Sequence, residues 1–148
     1  MGRRMYSKKE ERVLDTFIKL LRGADSFTTR AHKHLAQFKL SLSQFQVLEV
    51  LYHIGPLCQK EIAQKVLKTS GNLTTVIENL SKQKLVLRKQ GEIDKRFYSI
   101  DLTHKGEKLI KEVFAKHLEI LVSEMSILTQ IEQEQLGKLC KKLGMGTK

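Results

Sequence analysis

Apolar residues recur every three or four positions along nearly the whole chain. The period breaks once, between Leu85 and Leu102, where they alternate every second residue. A period near 3.6 gives a helix one apolar face, and a period of two does the same for a strand. The pattern restricts the chain to a mainly α-helical fold with one small β-hairpin. A single proline in 148 residues is consistent with this, since proline is poorly tolerated inside helices.

Start and stop signals divide the helical stretches. Ser7 with Glu10 three residues later is a capping-box start. Behind it Val13, Phe17, Leu20, Ala24, Phe27, Ala31, Leu35 and Phe38 predict one amphipathic helix over 8–38. Such a helix runs roughly 45 Å, outreaches a small domain and needs a partner surface. Ser43 with Gln46 repeats the signature for a helix over about 43–53, with Val47, Leu48 and Leu51 inward and Gly55-Pro56 as its stop. A short helix over about 59–67 turns Ile62, Ala63, Val66 and Leu67 inward. Thr69-Ser70-Gly71 interrupts it, and Ser70 is placed to cap a helix over about 70–83 with Leu73, Val76, Ile77 and Leu80 on one face. Leu85–Lys89 and Phe97–Leu102 form the hairpin, around a charged tip with Gly91. Thr103 caps a helix over about 103–126, striped by Ile110, Phe114, Leu118, Leu121 and Met125. Thr129 with Glu132 opens the last helix, about 130–143, carrying Leu136, Leu139, Cys140 and Leu143.

Charge narrows the function. There are 27 Lys and Arg against 16 Asp and Glu, a net charge of +11. That excess favours a polyanion, either nucleic acid or an anionic membrane surface. Within 60–96 nine basic residues face four acidic ones. No apolar run approaches the ~18 residues of a membrane span, and the charged opening Met1–Arg12 has no hydrophobic stretch behind it. The expectation is a cytosolic protein without a membrane partner. Cys58 and Cys140 form neither a disulfide framework nor a CxxC pair. His32 and His34 point different ways on a helix, and His104 and His117 lack partners one turn away, so no metal or other cofactor is expected. Without a Gly-rich phosphate loop, a GxSxG elbow or a convincing carboxylate pair, catalysis is not expected either.

Two short helices joined by a Gly-containing turn are the helix-turn-helix arrangement, whose second helix enters the major groove of DNA. Such a helix needs a solvent face of short hydrogen-bonding side chains. Ser70, Asn72, Thr74 and Thr75 supply it, with Gly71 on the same face: Asn pairs with adenine, and Thr touches a thymine methyl. Lys60, Lys65, Lys68 and Lys82 flank it within reach of phosphates, which set register and salt dependence rather than sequence preference. The tip Asp94-Lys95-Arg96 suits the adjacent minor groove, with Arg96 inserted and Asp94 aligning it.

These residues resemble the MarR-type transcription regulators. The matching stretches are Leu42, Gln44, Phe45, Val47 and Leu48; Gly55-Pro56-Leu57 followed by Gln59-Lys60-Glu61-Ile62-Ala63; Ser70-Gly71-Asn72 with Thr74 and Leu80; Leu85-Val86 with Arg88; Asp94 with Arg96; and Leu102-Thr103 with Gly106. The resemblance implies one domain over 1–148, a winged helix-turn-helix with N- and C-terminal dimerisation helices. The dimerisation helices would be 8–38 and 103–143, and the DNA-binding lobe 43–102, with its helix-turn-helix at about 58–83 and its wing at 85–102. It implies a homodimer on a palindromic operator with half-sites about 34 Å apart on double-stranded DNA, most often as a repressor. The sequence departs from the family at Lys84, where a glycine usually stands. A left-handed lysine there costs roughly 1 kcal/mol or more.

Regulators of this family are usually released from DNA by a small ligand, often a phenol, quinone or aromatic acid, or by cysteine oxidation. His34, Phe38, Phe45, Tyr52 and His53 either line a crevice for such an aromatic effector or pack as core. The run Leu51-Tyr52-His53 with Gly55-Pro56 and Ser70-Gly71-Asn72 is most similar to the quinone- and phenol-responsive branch. Cys140 on an apolar face and Cys58 at an expected buried junction argue against a redox switch. A redox-responsive regulator and a sequence-indifferent architectural DNA-binding protein are the alternatives.

Overall fold

The computed structural model describes residues 4–66 and 72–146. In chain order it contains α1 (Lys8–His32), a 3-10 segment (Lys33–Phe38), α2 (Leu42–Ile54), α3 (Gln59–Lys65), α4 (Leu73–Lys82), β1 (Val86–Gln90), β2 (Tyr98–Leu102), α5 (His104–Met125) and α6 (Gln130–Met145).

Capping chemistry sets the starts. Ser7 Oγ accepts the Glu10 N–H at 3.3 Å while the Glu10 carboxylate accepts the Ser7 N–H at 2.8 Å. Thr129 and Glu132 repeat the exchange at α6. α2 differs from expectation: its cap is Ser41 with Gln44, not Ser43 with Gln46. Both pairs carry the same spacing, and apolar neighbours choose between them. With Ser41 as cap, Leu40 and Phe45 take the two positions of a hydrophobic staple, and both are buried in the same cluster.

The expected helix over 8–38 stops at His32 and tightens into the 3-10 segment. The Leu40 N–H reaches back to the Leu35 carbonyl and the Lys39 N–H to that of Ala36, with Lys39 left-handed at φ 54°. This is a Schellman ending, closed by apolar contact between its flanks. Leu35 and Leu40 are both buried, so the tighter winding delivers Leu35 to the core.

The chain forms two compact units, one of residues 34–122 and the other of the described residues on either side. In the first, Phe45, Val47, Leu48 and Leu51 of α2 pack with Ile62, Ile77, Leu80, Ile100, Ile110 and Val113. On α5 the buried positions are Gly106, Ile110, Val113 and His117, while Leu118 is exposed, so the inward face is rotated from the expected stripe. Ala63, expected inward, is exposed. β1 and β2 are antiparallel, running from Val86 opposite Leu102 to Gln90 opposite Tyr98. Leu57 adds a one-residue third strand: its N–H and carbonyl pair with Ile100 at 3.1 and 2.8 Å.

The second unit holds α1, the end of α5 and α6. Arg30 Nε lies 2.6 Å from a Glu124 carboxylate oxygen. Gln133 Nε2 donates to the Met125 and Leu128 carbonyls, both at 3.0 Å, and fixes the turn into α6. No helix among the described residues is long and apolar enough to cross a membrane.

Candidate nucleic-acid interface

Two helices and the hairpin carry the residues expected to contact DNA. α3 opens with the Cys58 N–H donating to the Glu61 carboxylate at 2.8 Å, and that bond holds the Glu61 carboxyl below its ordinary range. Gln59 Nε2 donates to Thr74 Oγ1 at 2.6 Å and ties α3 to the first turn of α4. Asn72 is the N-cap of α4, its Oδ1 accepting the Thr74 N–H at 2.9 Å. α4 therefore begins at Leu73 rather than at 70, and the cap expected of Ser70 is supplied by Asn72. Ser70 itself lies outside the described residues, as do Lys68 and Gly71.

Ile77 and Leu80 bury one side of α4. The exposed side carries Asn72, Thr75, Asn79 and Lys82 at helical spacing, with Glu78 beside them. Thr74 is half-buried under its bond from Gln59. Asn79, one turn beyond Thr75, was not among the expected site residues, although the 3.6-residue period alone places it in this row. Lys60 is exposed on α3.

The end of α4 is a joint. The Leu85 N–H bonds the Leu80 carbonyl and the Lys84 N–H that of Ser81, each at 2.9 Å, with Lys84 left-handed at φ 58°. Lysine thus occupies the conformation glycine adopts most easily. Thr103 Oγ1 donates to the Lys84 carbonyl at 2.6 Å and accepts the Gly106 N–H at 3.0 Å, so one hydroxyl closes α4 and opens α5. Gly106 is obligatory: a Cβ there would sit 1.9 Å from the Leu85 carbonyl oxygen.

The hairpin tip is fastened at several points. The Gly91 N–H donates to the Phe97 carbonyl at 2.7 Å and the Phe97 N–H to that of Asp94 at 3.1 Å. Gln90 Nε2 reaches the Lys95 carbonyl at 2.6 Å. A Cβ on Gly91 would meet the Asp94 carbonyl oxygen at 2.6 Å. Asp94 and Arg96 form a two-pronged pair at 3.1 and 2.9 Å, and the Arg96 N–H adds a third bond at 3.0 Å. The guanidinium bonds hold the Asp94 carboxyl below its ordinary range and raise Arg96 above its own. Lys95 and Arg96 are exposed.

A family model described as transcriptional regulator SarA/Rot matches residues 30–113. The HTH-type transcriptional regulator MhqR of Bacillus subtilis is 32% identical, with 93% of this chain and 95% of that one covered. This chain belongs to the MarR-type winged helix-turn-helix transcription regulators. Its fold matches that in a MepR–DNA complex from S. aureus, with TM-score 0.73, 24% identity and 97% and 100% of the two chains covered. It also matches Bordetella bronchiseptica BpsR, whose DNA binding is regulated by 6-hydroxynicotinic acid, with TM-score 0.74, 22% identity and 97% and 98% covered. Like the MarR-type relatives, it is a DNA-binding transcription regulator and not an enzyme.

In this MarR-type chain the five aromatic residues singled out from sequence join one chain of ring contacts. His34 lies edge-on to Phe38 and Phe45, with centroids 6.3 and 6.5 Å away. Tyr52 and His53 are 5.1 Å apart. Two α5 residues that sequence reasoning missed complete it: His117 stacks on His34 at 5.2 Å, and Phe114 meets His53 at 4.6 Å. The sequence places Phe114 on the apolar stripe of this helix and His117 without a metal-binding partner one turn away. Cys58, expected at a buried junction, is half-buried, and Cys140, expected on the apolar face of α6, is exposed within the chain. Among the described residues no three metal-binding side chains come together.

Proposed function

We propose that the chain is a sequence-specific repressor that binds a palindromic operator as a homodimer in the cytosol and is released by a small aromatic ligand of phenol or quinone type. The observation that carries the reading is the split of α4 into a buried apolar row and an exposed row of Asn72, Thr75 and Lys82. In this reading Ser70, Gly71, Asn72, Thr74 and Thr75 address base edges in the major groove, with Thr74 oriented by Gln59. Lys60, Lys68 and Lys82 reach phosphates, and Asp94, Lys95 and Arg96 form the wing contact. The MepR–DNA complex supports the DNA-bound form. BpsR and its hydroxylated aromatic acid support the ligand class. His34, Phe38, Phe45, Tyr52 and His53 are the proposed ligand contacts. The exposed apolar residues of α1 and α6 support the dimer.

The test is selection of duplexes from a random library, followed by titration at ~150 mM salt. A specific binder gains at least about 10³ over random DNA, and equal competition by random DNA identifies an architectural binder instead. Arg96→Ala is expected to lower affinity about tenfold or more, and Asn72→Ala to relax preference at one base pair per half-site. Phenols and quinones titrated into the complex should release the duplex.

A further inference from the structure

We propose that Ile93, at the tip of the hairpin, is an apolar wedge that enters the minor groove beside Arg96 and gives the chain a preference for a pyrimidine–purine step beneath the wing. The proposal rests on the reading of the hairpin as a DNA-contacting wing.

The charge of the hairpin is the first reason. Arg88, Lys89, Lys95 and Arg96 stand against Glu92, Asp94 and Asp101. Two of those four cations are already engaged, Lys89 with Asp101 at 3.5 Å and Arg96 with Asp94 at 2.9 Å. Electrostatic affinity grows with the number of phosphates neutralised. Arg96 contributes on that account, but four basic residues against three acidic ones leave the hairpin as a whole little net charge to offer. What it does present is apolar surface: Ile93 is fully exposed, Phe97 65% exposed and Tyr98 53% exposed. A lone exposed apolar residue is ordinary, whereas a concentration of them marks a contact. The hairpin packs on the core through other residues, since its buried ones are Leu85, Val86 and Ile100.

Rigidity is the second reason. Ile93 sits inside a loop closed by the Gly91–Phe97 and Gln90–Lys95 bonds and by the three-bond Asp94–Arg96 clamp. Its β-branched side chain has few rotamers to lose. Apolar side chains inserted between base steps in the minor groove partly unstack them, and flexible TA and CA steps yield most easily. An arginine acting alone favours the reverse, a stiff and narrow A-tract. The two roles therefore ask for different DNA beneath the same tip.

The test uses the full chain and a duplex it has itself selected, with 2-aminopurine placed at successive positions and the wing position fixed by hydroxyl-radical footprinting. Wild type should raise 2-aminopurine emission at one step under each wing. Ile93→Ser should lose that signal and bind about tenfold more weakly, with an unchanged slope of log affinity against log salt. Arg96→Ala should flatten that slope. Ile93→Leu should restore emission, and an unaltered melting temperature in both Ile93 variants shows that the hairpin is intact. Replacing the step by an A-tract should weaken wild type more than Ile93→Ser. Flat emission with wild type, or Ile93→Ser binding as wild type does, overturns the wedge and leaves the regulator standing. A chain that selects no duplex at all overturns both.

Discussion

The lobe of residues 34–122 and the unit built from the chain's two ends use similar amphipathic helices in opposite ways. In the lobe Phe45, Leu48, Ile77 and Ile110 are at most 1% exposed. In the terminal unit Phe17, Leu139 and Leu143 remain 54–65% exposed. The sequence signal is the same in both, an apolar residue every three or four positions. Periodicity shows that a face needs covering, and not whether the chain covers it. The lobe closes its own core, while the terminal helices carry a stripe suited to a second surface.

Four substitutions break or sharpen this contrast. The largest effect is expected from Gly106→Val, which drives a side chain into the Leu85 carbonyl. It should cost the lobe on the order of 3–5 kcal/mol, read by thermal melting, and a melt within 1 kcal/mol of wild type would refute the close approach. Next comes a matched pair. Leu48→Ala should cost about 2–5 kcal/mol at any protein concentration, because Leu48 is fully buried inside the lobe. Leu139→Ala should leave the lobe's melt nearly unchanged and alter how stability depends on protein concentration, which sedimentation together with melting resolves. Equal, concentration-independent losses would erase the distinction between the units. The smallest effect has the opposite sign: Lys84→Gly relieves a left-handed lysine and should stabilise the lobe by about 1 kcal/mol in denaturant titrations.

Much of the architecture was legible because it rests on local chemistry. The caps at Ser7 and Thr129 and the hairpin all follow from a few neighbouring residues, whereas the left-handed strain at Lys84 was implied by the resemblance to a family with glycine there. The departures have a common cause in tertiary choice. Ser41 and Ser43 offer the same capping spacing, and only the burial of Leu40 with Phe45 decides between them. The helix expected over 8–38 tightens after His32 because Leu35 turns into the lobe, which no helical period announces. Leu57 pairs with Ile100 across a long sequence gap, and a single residue beside a proline carries no strand pattern. At the candidate site the polar face of α4 was readable from spacing, including the position of Asn79. That Gln59 engages Thr74, and that α5 supplies Phe114 and His117 to the ring cluster, depends on contacts between elements far apart in sequence.

The joint between α4 and α5 has an evolutionary corollary. Thr103 and Gly106 meet main-chain oxygens of Lys84 and Leu85, not their side chains. A damaged side-chain contact can be repaired by changing its partner, but a carbonyl has no alternative allele. Allele-specific suppressors of changes at Thr103 or Gly106 should therefore be absent from positions 84 and 85, where a gain such as that of Lys84→Gly offsets any destabilising change alike, and drift at this joint is confined to whatever Thr103 and Gly106 alone can tolerate.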